Sequence, residues 1–445
     1  MDLVQKIYQG GVVGAGGAGF PTHVKYKTKA NSLLINAAEC EPLLYTDQYE
    51  MEYFPEEIIR GIELGRSALE ASNVKIAIKE KHERSIKALE KAIESLQVDM
   101  DIVKMESYYP AGDEHSVIYE CLKTPLAPAA LPLTLDAVVS NVTTMRNIYL
   151  ASQDIPVTDK KITVTGEVEK PIVIDVPIGT TIEECLSLAG KTTVNPFAIL
   201  IGGPMMGKMI FDKDISTTYV TKTTGGLIVL PMDHPLIARR RQTLKQIQNQ
   251  TASACIQCDF CTELCPRYLK GHPLHPHEVM KAFGFGDMTH PKLPQASLCC
   301  ECGICELYSC PMGLSPRIVN AEVKKIMRKE GITKNFTPLP VHPMEEVRKL
   351  PTDVLMKKIQ IEQYDQHEPL PLKEYTSNKV RLLLSQHIGK PASPIVKIGD
   401  RVKRGQEIGH VEETDMGALI HASIDGTVTK ITNEFIEITG EGETQ

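Results

Sequence analysis

The sequence predicts a multidomain α/β protein that carries a separate cysteine-rich segment and ends in an all-β module. Three observations predict this organisation. Segments with strand and helix character alternate over the first 150 residues, nine cysteines lie within residues 255–310, and short apolar segments separated by glycine turns fill residues 379–445. A length of 445 residues corresponds to about three domains of roughly 150 residues each.

Residues 1–155 are predicted to form the α/β domain. Strand-like apolar segments lie at 33–36 and 74–79, and apolar residues recur at helical spacing over 55–71 and 82–96. Alternation of this kind indicates a sheet with helices packed on it.

Residues 156–215 change to a small β-rich unit around one helix. Its predicted elements are strands at 161–165 and 171–176, a helix at 181–189 and a strand at 197–201. Residues 216–250 are interpreted as a connector that ends in a helix, the cysteine domain occupies 251–330, and the proline- and lysine-rich residues 331–378 are interpreted as a linker. Short strands and turns over 379–445 predict a small β sandwich.

Eight of the cysteines form two runs that each end in Cys-Pro. The runs are Cys255-x2-Cys258-x2-Cys261-x3-Cys265-Pro266 and Cys299-x2-Cys302-x2-Cys305-x4-Cys310-Pro311. Three cysteines at this spacing wrap three corners of a cubane cluster, and in two-cluster ferredoxins the fourth cysteine ligates the other cluster. We therefore predict two [4Fe–4S] clusters, one held by Cys255, Cys258, Cys261 and Cys310 and the other by Cys299, Cys302, Cys305 and Cys265.

Other uses of these cysteines fit the pattern less well. Zinc sites usually show two separated Cys-x2-Cys pairs, and a disulfide framework suits a short secreted chain. The second run departs from the ferredoxin spacing because four residues precede Cys310, and Cys300 offers a competing thiol. We favour Cys299 as the ligand because it has the x2 spacing to Cys302, and we expect the extra residue to bulge the turn.

Composition argues against several classes of function. A formal net charge of −7 and a pI near 6.0 argue against nucleic-acid binding, which favours a basic face. A stretch of 18 apolar residues is absent, so no membrane span is predicted. The N-terminus lacks the basic and apolar regions of a signal peptide, and thiolate-ligated clusters need reducing surroundings, so we expect a cytoplasmic protein.

A glycine-rich loop near the N-terminus is the second chemical signal. Gly14, Gly16, Gly17 and Gly19 are too dense for a helix or strand, and consecutive N–H groups in such a loop can cradle a phosphate. Lys25 would add a positive charge. The spacing also matches a dinucleotide fingerprint, but the strand before it is short, so a glycine turn without a ligand remains an alternative on this pattern alone.

Two segments that carry acidic residues follow the glycine loop. Residues 36–42 place Glu39 and Glu41 after a predicted strand, where carboxylates often meet the ribose hydroxyls of a cofactor. Residues 109–114 again set glycine beside acids. Each segment taken alone is also compatible with an exposed, solvated loop.

Taken together, these segments resemble the flavin- and NADH-binding subunit of respiratory complex I. That family carries a GxGGAGFPT loop and segments of the form N-A-x-E-x-E-P, Y-x-x-G-[ED]-E and N-V-x-T. The matching residues in this chain are 14–22, 36–42, 109–114 and 141–144, in the same order. Ala15 and Ala38 depart from the family, which has Arg and Asp there, and both positions bear on flavin or nicotinamide binding.

The combination of modules resembles the Rnf complex C subunit family. The Rnf subunit itself carries its barrel-sandwich module at the N-terminus, whereas here that module comes last, an order that resembles the cobalamin reductases of propanediol utilisation and the subunit that feeds proline reductase. Residues 164–167, 177–180 and 202–207 resemble the family's soluble-ligand-binding β-grasp domain. Residues 379–445 resemble a lipoyl-type barrel-sandwich hybrid. Residues 415–418 form the expected hairpin tip without the attachment lysine, so we expect no lipoyl or biotin.

The resemblance implies an NADH-dependent flavin and iron–sulfur oxidoreductase. NADH would reduce FMN, and single electrons would then pass through the clusters. Hydride transfer requires no protein acid or base, so no catalytic residue is named. The residues implied in FMN or NADH binding are Gly14, Gly16, Gly17, Gly19, Lys25, Asn36, Glu39, Glu41, Gly112, Glu114, Asn141 and Thr144.

The electron acceptor is the least specified part of this interpretation. The resemblance implies a corrinoid or a corrinoid-using enzyme, with encapsulation in a bacterial microcompartment and homo-oligomerisation as open alternatives. A donor subunit for proline reductase or for an Rnf-like complex is the second interpretation. The third is a non-catalytic electron relay that lacks flavin, which the alanines at positions 15 and 38 keep open.

Overall fold

The computed structural model describes residues 2–366 and 369–440. Residue 1 and residues 441–445, at the ends of the predicted first and last domains, lie outside the described residues, as do residues 367–368 of the predicted linker. The N-terminal α/β domain contains α1 (Leu3–Gln9), α2 (Thr22–Lys25), β1 (Ser32–Asn36), α3 (Thr46–Tyr53), α4 (Pro55–Leu69), β2 (Asn73–Lys79), α5 (Glu83–Leu96), β3 (Asp101–Met105), β4 (Tyr108–Tyr109), α6 (Glu114–Leu122), β5 (Ala137–Asn141) and α7 (Val142–Ser152).

Four of these strands form a parallel sheet in the order β3–β2–β1–β5. Successive side chains of β1 point to opposite faces. Leu33 and Ile35 enter the core that α4 and α7 cover, whereas Leu34 enters the core beneath α6. Gly61 lets α4 approach the α7 backbone, since an added Cβ would lie 1.9 Å from the Met145 carbonyl oxygen.

The strand order creates a switch point in this sheet. β2 and β3 lie on one side of β1, and β5 lies on the other. The order in which strands are added to the sheet therefore reverses, and the reversal leaves a crevice between β1 and β5. Asn36 and Asn141, the last residues of these two strands, are register partners. Open parallel sheets bind ligands outside the carboxyl ends of their strands at such a point.

A six-stranded mixed sheet forms the β-grasp domain. Its elements in the chain are β6 (Asp159–Gly166), β7 (Ile172–Pro177), α8 (Ile182–Leu188), β8 (Phe197–Ile201), β9 (Lys208–Phe211), β10 (Gly226–Pro231) and α9 (Pro235–Arg240). β10 lies between β6 and β8, parallel to the first and antiparallel to the second. The expectation of a simple connector over 216–250 was wrong here, because a short continuous apolar run does not reveal its pairing by periodicity.

Short helices dominate the cysteine domain. They are α10 (Leu244–Ala254), α11 (Phe260–Glu263), α12 (Pro266–Leu269), α13 (Pro276–Gly284) and α14 (Pro316–Glu330). Ile247, Val279 and Val319 pack together where α10, α13 and α14 meet. A π-helical turn over Cys305–Ser309 takes up the extra residue of the second cysteine run, so the expected bulge is present.

Residues 331–378 tie other parts of the molecule together rather than forming a free linker. They contain β11 (Leu350–Pro351), α15 (Thr352–Lys358) and β12 (Leu372–Glu374). β11 pairs with β4 of the α/β domain, and β12 adds an edge strand beside β7 of the β-grasp sheet. Their proline- and lysine-rich composition did not indicate these pairings, because the partners lie far away in sequence.

The C-terminal barrel is a pair of small antiparallel sheets. Its strands are β13 (Lys379–Leu383), β14 (Ser393–Pro394), β15 (Arg401–Val402), β16 (Glu407–His410), β17 (Ile420–His421), β18 (Gly426–Ile431) and β19 (Phe435–Thr439). The sheets run β13–β19–β18–β15 and β14–β16–β17 around a buried aliphatic core. Among the described residues, no helix combines the length and the apolar character that crossing a bilayer requires.

The barrel packs on the α/β domain through the loop between β16 and β17. The Tyr8 hydroxyl donates to the Val411 carbonyl at 2.6 Å, and Lys27 pairs with Glu413 at 3.0 Å. The hairpin tip at 415–418, which lacks a lysine, lies in the same loop and contacts the barrel itself, through Asp415 with Lys390 at 2.6 Å.

Candidate functional site

The glycine loop lies at the switch point between β1 and β5. Its ends are closed by a hydrogen bond from the Gly14 N–H to the Phe20 carbonyl at 2.9 Å. An added Cβ at Gly16 would lie 3.2 Å from the Asn141 Cβ. Gly17 has a φ of 131°, a backbone angle that would be strained for a residue with a side chain, and the space around it is open. The loop therefore leaves bare main chain facing the crevice.

The predicted polar residues converge on this loop. The Thr144 hydroxyl accepts from the Ala15 N–H at 2.9 Å, and the Asn141 side chain caps α7 by accepting from the Thr144 N–H at 3.3 Å. The Asn36 amide donates to the Gly112 carbonyl at 2.8 Å. Segments that are distant in the sequence therefore meet at the carboxyl ends of two neighbouring strands.

Lys25 and Glu114 are two titratable groups in this crevice. The Lys25 ammonium donates to the Val139 carbonyl at 2.7 Å. Burial lowers the pKa of Lys25, while the nearby Glu114 carboxylate opposes that effect. Burial also raises the pKa of Glu114, and Lys25 pulls it back. The two groups thus stabilise each other's charged forms.

The Glu39 carboxylate binds the N-terminus of α3. It accepts from the Asp47 N–H at 3.0 Å and from the Gln48 main-chain and side-chain N–H groups at 3.2 and 3.0 Å. Burial, with the Asp47 carboxylate as a second cause, raises the pKa of Glu39 to about 8. These bonds satisfy free N–H groups at a helix N-terminus, so the carboxylate of Glu39 positions α3.

Glu41 holds a loop of the β-grasp domain. Its two carboxylate oxygens accept from the Met205 and Met206 N–H groups at 2.9 Å each. Burial raises the pKa of Glu41 to about 7, against these two hydrogen bonds. The structure therefore brings the β-grasp loop to the crevice edge, a contact that the sequence did not reveal.

The four cysteines assigned to the first cluster surround one small cavity. Cys255, Cys258, Cys261 and Cys310 all line this space of about 20 Å³. The Leu314 N–H points at the Cys310 sulfur at 3.3 Å, and the Gln257 amide points at the Cys255 sulfur at 3.0 Å. Four converging thiols with N–H donors on their sulfurs fit an iron–sulfur cluster.

The second group lies deeper in the protein. Cys265, Cys302 and Cys305 are buried, and the Cys299 sulfur accepts from the Glu301 N–H at 3.3 Å. Cys300 lies beside Cys302, and a hydrogen bond between the two thiols is the largest cause that lowers the pKa of Cys300. Both Cys299 and Cys300 therefore lie near this group, and the choice of Cys299 as ligand stays a prediction.

Two contacts join the crevice to the second cysteine group. The Tyr109 hydroxyl donates to the Cys302 carbonyl at 2.7 Å. Arg267, two residues after Cys265, makes a bidentate pair with Asp113 at 2.5 and 2.9 Å. Burial by itself would raise the pKa of Asp113, but the guanidinium outweighs it and holds that pKa below its ordinary value.

Sequence reasoning missed Asp113 and Arg267, and it also missed Asp47. The Asp47 carboxylate accepts from the Asn141 amide and from the Thr143 hydroxyl, each at 2.7 Å. Asp113 lay inside a recognised segment, next to Glu114, but its partner follows a Cys-Pro turn more than a hundred residues later. A single sequence offers no signal that pairs them.

The two cysteine groups, the bare glycine loop and the contacts between them define a flavin and iron–sulfur electron-transfer protein. Four family models match the chain in the same order. They are the Nuo51 FMN-binding domain at 7–150, the SLBB domain at 161–208, the 4Fe-4S dicluster domain at 254–315 and the RnfC barrel sandwich hybrid domain at 361–444. These matches confirm the predicted fold class and the expectation of FMN and two [4Fe–4S] clusters.

The chain belongs to the cobalamin reductase family. It is 41% identical to the cobalamin reductase PduS of Citrobacter freundii over 98% of this chain and 95% of that protein. It is 40% identical to PduS of Salmonella typhimurium over 98% and 96% of the two chains. A more distant relative is the C subunit of the Na(+)-translocating ferredoxin:NAD(+) oxidoreductase complex of Acetobacterium woodii, which is 30% identical over 60% of this chain and 59% of that protein.

Proposed function

We propose that the chain is an NADH-dependent reductase that delivers single electrons to a corrinoid, with FMN and two [4Fe–4S] clusters as its redox groups. The contact of the switch-point crevice with the second cysteine group carries this proposal, through the Tyr109–Cys302 and Asp113–Arg267 hydrogen bonds. The relatives named cobalamin reductase support the corrinoid as acceptor. Flavin, when bound, supplies the exchange between a two-electron donor and one-electron acceptors.

In this proposal the chain's own residues bind and orient the flavin. The main chain at Gly14, Gly16, Gly17 and Gly19 offers a close approach, as expected for a phosphate-bearing group. Asn36, Gly112, Asn141 and Thr144 fix the loops around it, as their hydrogen bonds indicate.

Lys25 and Glu114 place one positive and one negative group in the same crevice. Burial lowers the pKa of Lys25 and raises that of Glu114, so in each case it favours the neutral form. A charged cofactor would shift the pKa of both groups, whereas a neutral cofactor would not, so the two groups distinguish ligands by their charge. Glu39 and Glu41 act indirectly, by positioning α3 and the β-grasp loop.

The position of the two cysteine groups gives electron transfer a direction. The second group contacts the crevice, so it is the entry station. The first group is half-buried and lies beside exposed apolar side chains, among them Ile256 and Phe260, so it is the exit station. The predicted cross-ligation by Cys265 and Cys310 would hold the two clusters close together.

The test is an anaerobic NADH titration of cluster-reconstituted protein supplied with FMN, followed by absorbance. We expect the flavin and cluster bands to bleach together. If NADH changes nothing while dithionite still reduces the clusters, the dehydrogenase role is wrong and the chain is a relay fed by a protein partner. Addition of hydroxocobalamin to the NADH-reduced protein should then restore the cluster absorbance if a corrinoid is the acceptor.

Encapsulation in a microcompartment and homo-oligomerisation stay predictions of the family resemblance. Analytical ultracentrifugation of the holoprotein measures the second directly. Co-sedimentation with purified microcompartments measures the first.

A further inference from the structure

A cavity of about 570 Å³ lies where the α/β domain, the β-grasp domain and the C-terminal barrel meet. The α7 residues Thr143, Arg146 and Leu150 form one wall, at helical spacing. They lie on a different face of α7 from Thr144, whose hydroxyl binds the glycine loop. The cavity is therefore separate from the crevice described above.

Charged side chains dominate the lining of this cavity. The positive ones are Arg146, Lys160, Lys161, Lys222, Lys403 and Arg404, and the negative ones are Glu50, Asp154, Asp159, Asp175 and Asp425. Four of the carboxylates pair with a cation: Glu50 with Arg146 at 3.0 Å, Asp175 with Lys161 at 2.8 Å, Asp159 with Arg404, and Asp154 with Lys6. Asp425 accepts from the Arg404 main-chain N–H at 2.7 Å.

Three lysines of the lining make no ion pair among the described residues. No hydrogen bond or ion pair within the described part of the chain engages the Lys160 ammonium, and burial lowers its pKa, although Asp47 and Glu50 lie near enough to oppose that effect. The Lys222 ammonium donates only to the carbonyls of Gly11 and Leu419, at 2.6 and 2.7 Å, and burial lowers its pKa to about 7. Lys403 stands exposed at the rim.

Unpaired positive charge inside a cavity favours an anionic ligand, because the anion stabilises the charged forms of the half-buried Lys160 and the buried Lys222. Ligand pockets in proteins measure about 300–1,000 Å³, so this cavity has room for a small organic molecule. Lysines bind phosphate groups as point charges. We infer that this three-module cavity binds a phosphate-bearing ligand of about nucleotide size, held by Lys160, Lys222 and Lys403.

Two kinds of molecule carry this chemistry. One is a free adenine nucleotide, and the other is the phosphodiester tail of a corrinoid, the latter resting on the proposed function. Their shared phosphate is what the cavity recognises, so binding experiments must separate them by using corrinoids with and without that tail.

The test is equilibrium dialysis of the intact holoprotein with ADP, hydroxocobalamin or cobinamide, which lacks the phosphodiester. The Lys160→Gln and Lys403→Gln variants leave the residues beside the glycine loop unchanged, so they separate binding in this cavity from binding at the proposed NADH site. We expect ADP or hydroxocobalamin to bind, and Lys160→Gln to weaken that binding about tenfold, as loss of one charge-assisted hydrogen bond does. Lys403→Gln, at an exposed position, should weaken it several-fold without affecting folding.

Lys170→Gln is the matched control, since Lys170 is an exposed lysine of the same β-grasp domain outside the cavity. If hydroxocobalamin binds and cobinamide does not, the ligand is the phosphodiester tail of a corrinoid. If only ADP binds, the ligand is a nucleotide. Absence of binding by every probe overturns the inference, as does equal binding by the Lys160→Gln, Lys403→Gln and Lys170→Gln variants. NADH oxidation is measured separately, so failure of the proposed function leaves the ADP result readable.

Discussion

The two cysteine groups have nearly the same sequence pattern and very different surroundings. Around the first, Ile256, Phe260 and Met312 expose 61%, 53% and 44% of their surface. The second is enclosed, and its loop carries contacts to the α/β domain through Cys302 and Arg267. One group of cysteines thus lies near solvent while the other lies at a domain interface.

This difference teaches that position, and not ligand type, assigns a role to each cluster. Reduction potentials of iron–sulfur clusters depend on solvent exposure and on hydrogen bonds to the sulfurs. The enclosed group is suited to accept electrons from a site inside the protein, and the exposed group is suited to pass them to a partner.

The largest effect is expected from removing one ligand of each group in turn. Cys305→Ser should abolish NADH-dependent reduction of the remaining first cluster, because its only internal source is lost. Cys258→Ser should leave NADH reduction of the second cluster intact and stop delivery to the acceptor. Electron paramagnetic resonance of NADH-treated samples measures both, with dithionite-reduced samples showing that the remaining cluster is present. Equal behaviour of the two variants would contradict the proposed direction.

A similar loss distinguishes the two neighbouring thiols of the second run. Cys299→Ser should remove one cluster, halving the iron content, because the Cys299 sulfur receives the Glu301 N–H and has the x2 spacing. Cys300→Ser is the matched control and should retain close to the full iron content. Iron and sulfide analysis of anaerobically purified protein measures the difference, and the reverse result would make Cys300 the ligand.

Asp113→Asn tests the interface that makes the second group different from the first. The Arg267 side chain is buried, so the variant leaves its charge without a partner, which costs about 3 kcal/mol or more at buried pairs. We expect a clear drop in the thermal unfolding temperature of the holoprotein and slower cluster reduction by NADH.

Glu83→Gln provides the control for this interface. It breaks an exposed pair with Lys87 on α5, and exposed pairs contribute about 0–1 kcal/mol. Similar unfolding temperatures for the two variants would show that the Asp113–Arg267 pair does not hold the domains together.

The fold was most predictable where local patterns decide it. The alternating segments at 33–36 and 74–79 became β1 and β2, and the helical spacing over 55–71 became α4. The two cysteine runs carry their chemistry in their spacing, and they converge as four thiols around the first cavity. The individual flavin and nicotinamide residues stay predictions, although they do gather at the switch point.

What could not be predicted depends on contacts between distant segments. β10, β11 and β12 are strands because they pair with segments that lie far away in the sequence. Glu41 was expected beside the nicotinamide nucleotide or the flavin edge, yet its oxygens hold the β-grasp loop. A carboxylate in a glycine-rich neighbourhood has the same sequence signature in either role, so only the folded arrangement distinguishes them.

Glu41→Gln tests the β-grasp loop, in which Met205 packs with Tyr109 of the crevice and Cys302 of the second group. The folded-state pKa of Glu41 is raised from 4.5 to about 7 by burial, so its stabilising contribution is complete at low pH and is lost as pH rises through that window. The unfolding temperature of the wild-type chain should therefore fall more between pH 5 and 7 than that of the variant. Parallel pH profiles would contradict the raised pKa.

The smallest effect is expected at the exposed surface of the first group. Ile256 lies beside Cys255 and lines the cluster cavity, so Ile256→Gln removes apolar area that a partner would cover. Each lost apolar contact of this size is worth about 1 kcal/mol, which corresponds to roughly a fivefold weaker KM for a protein-bound acceptor. A small diffusible dye does not dock, so its reduction rate should stay unchanged. Ile395→Gln, a comparably exposed isoleucine on the barrel, should change neither rate. If Ile256→Gln and Ile395→Gln act alike, electrons leave the protein elsewhere, and the exposed group is not the exit station.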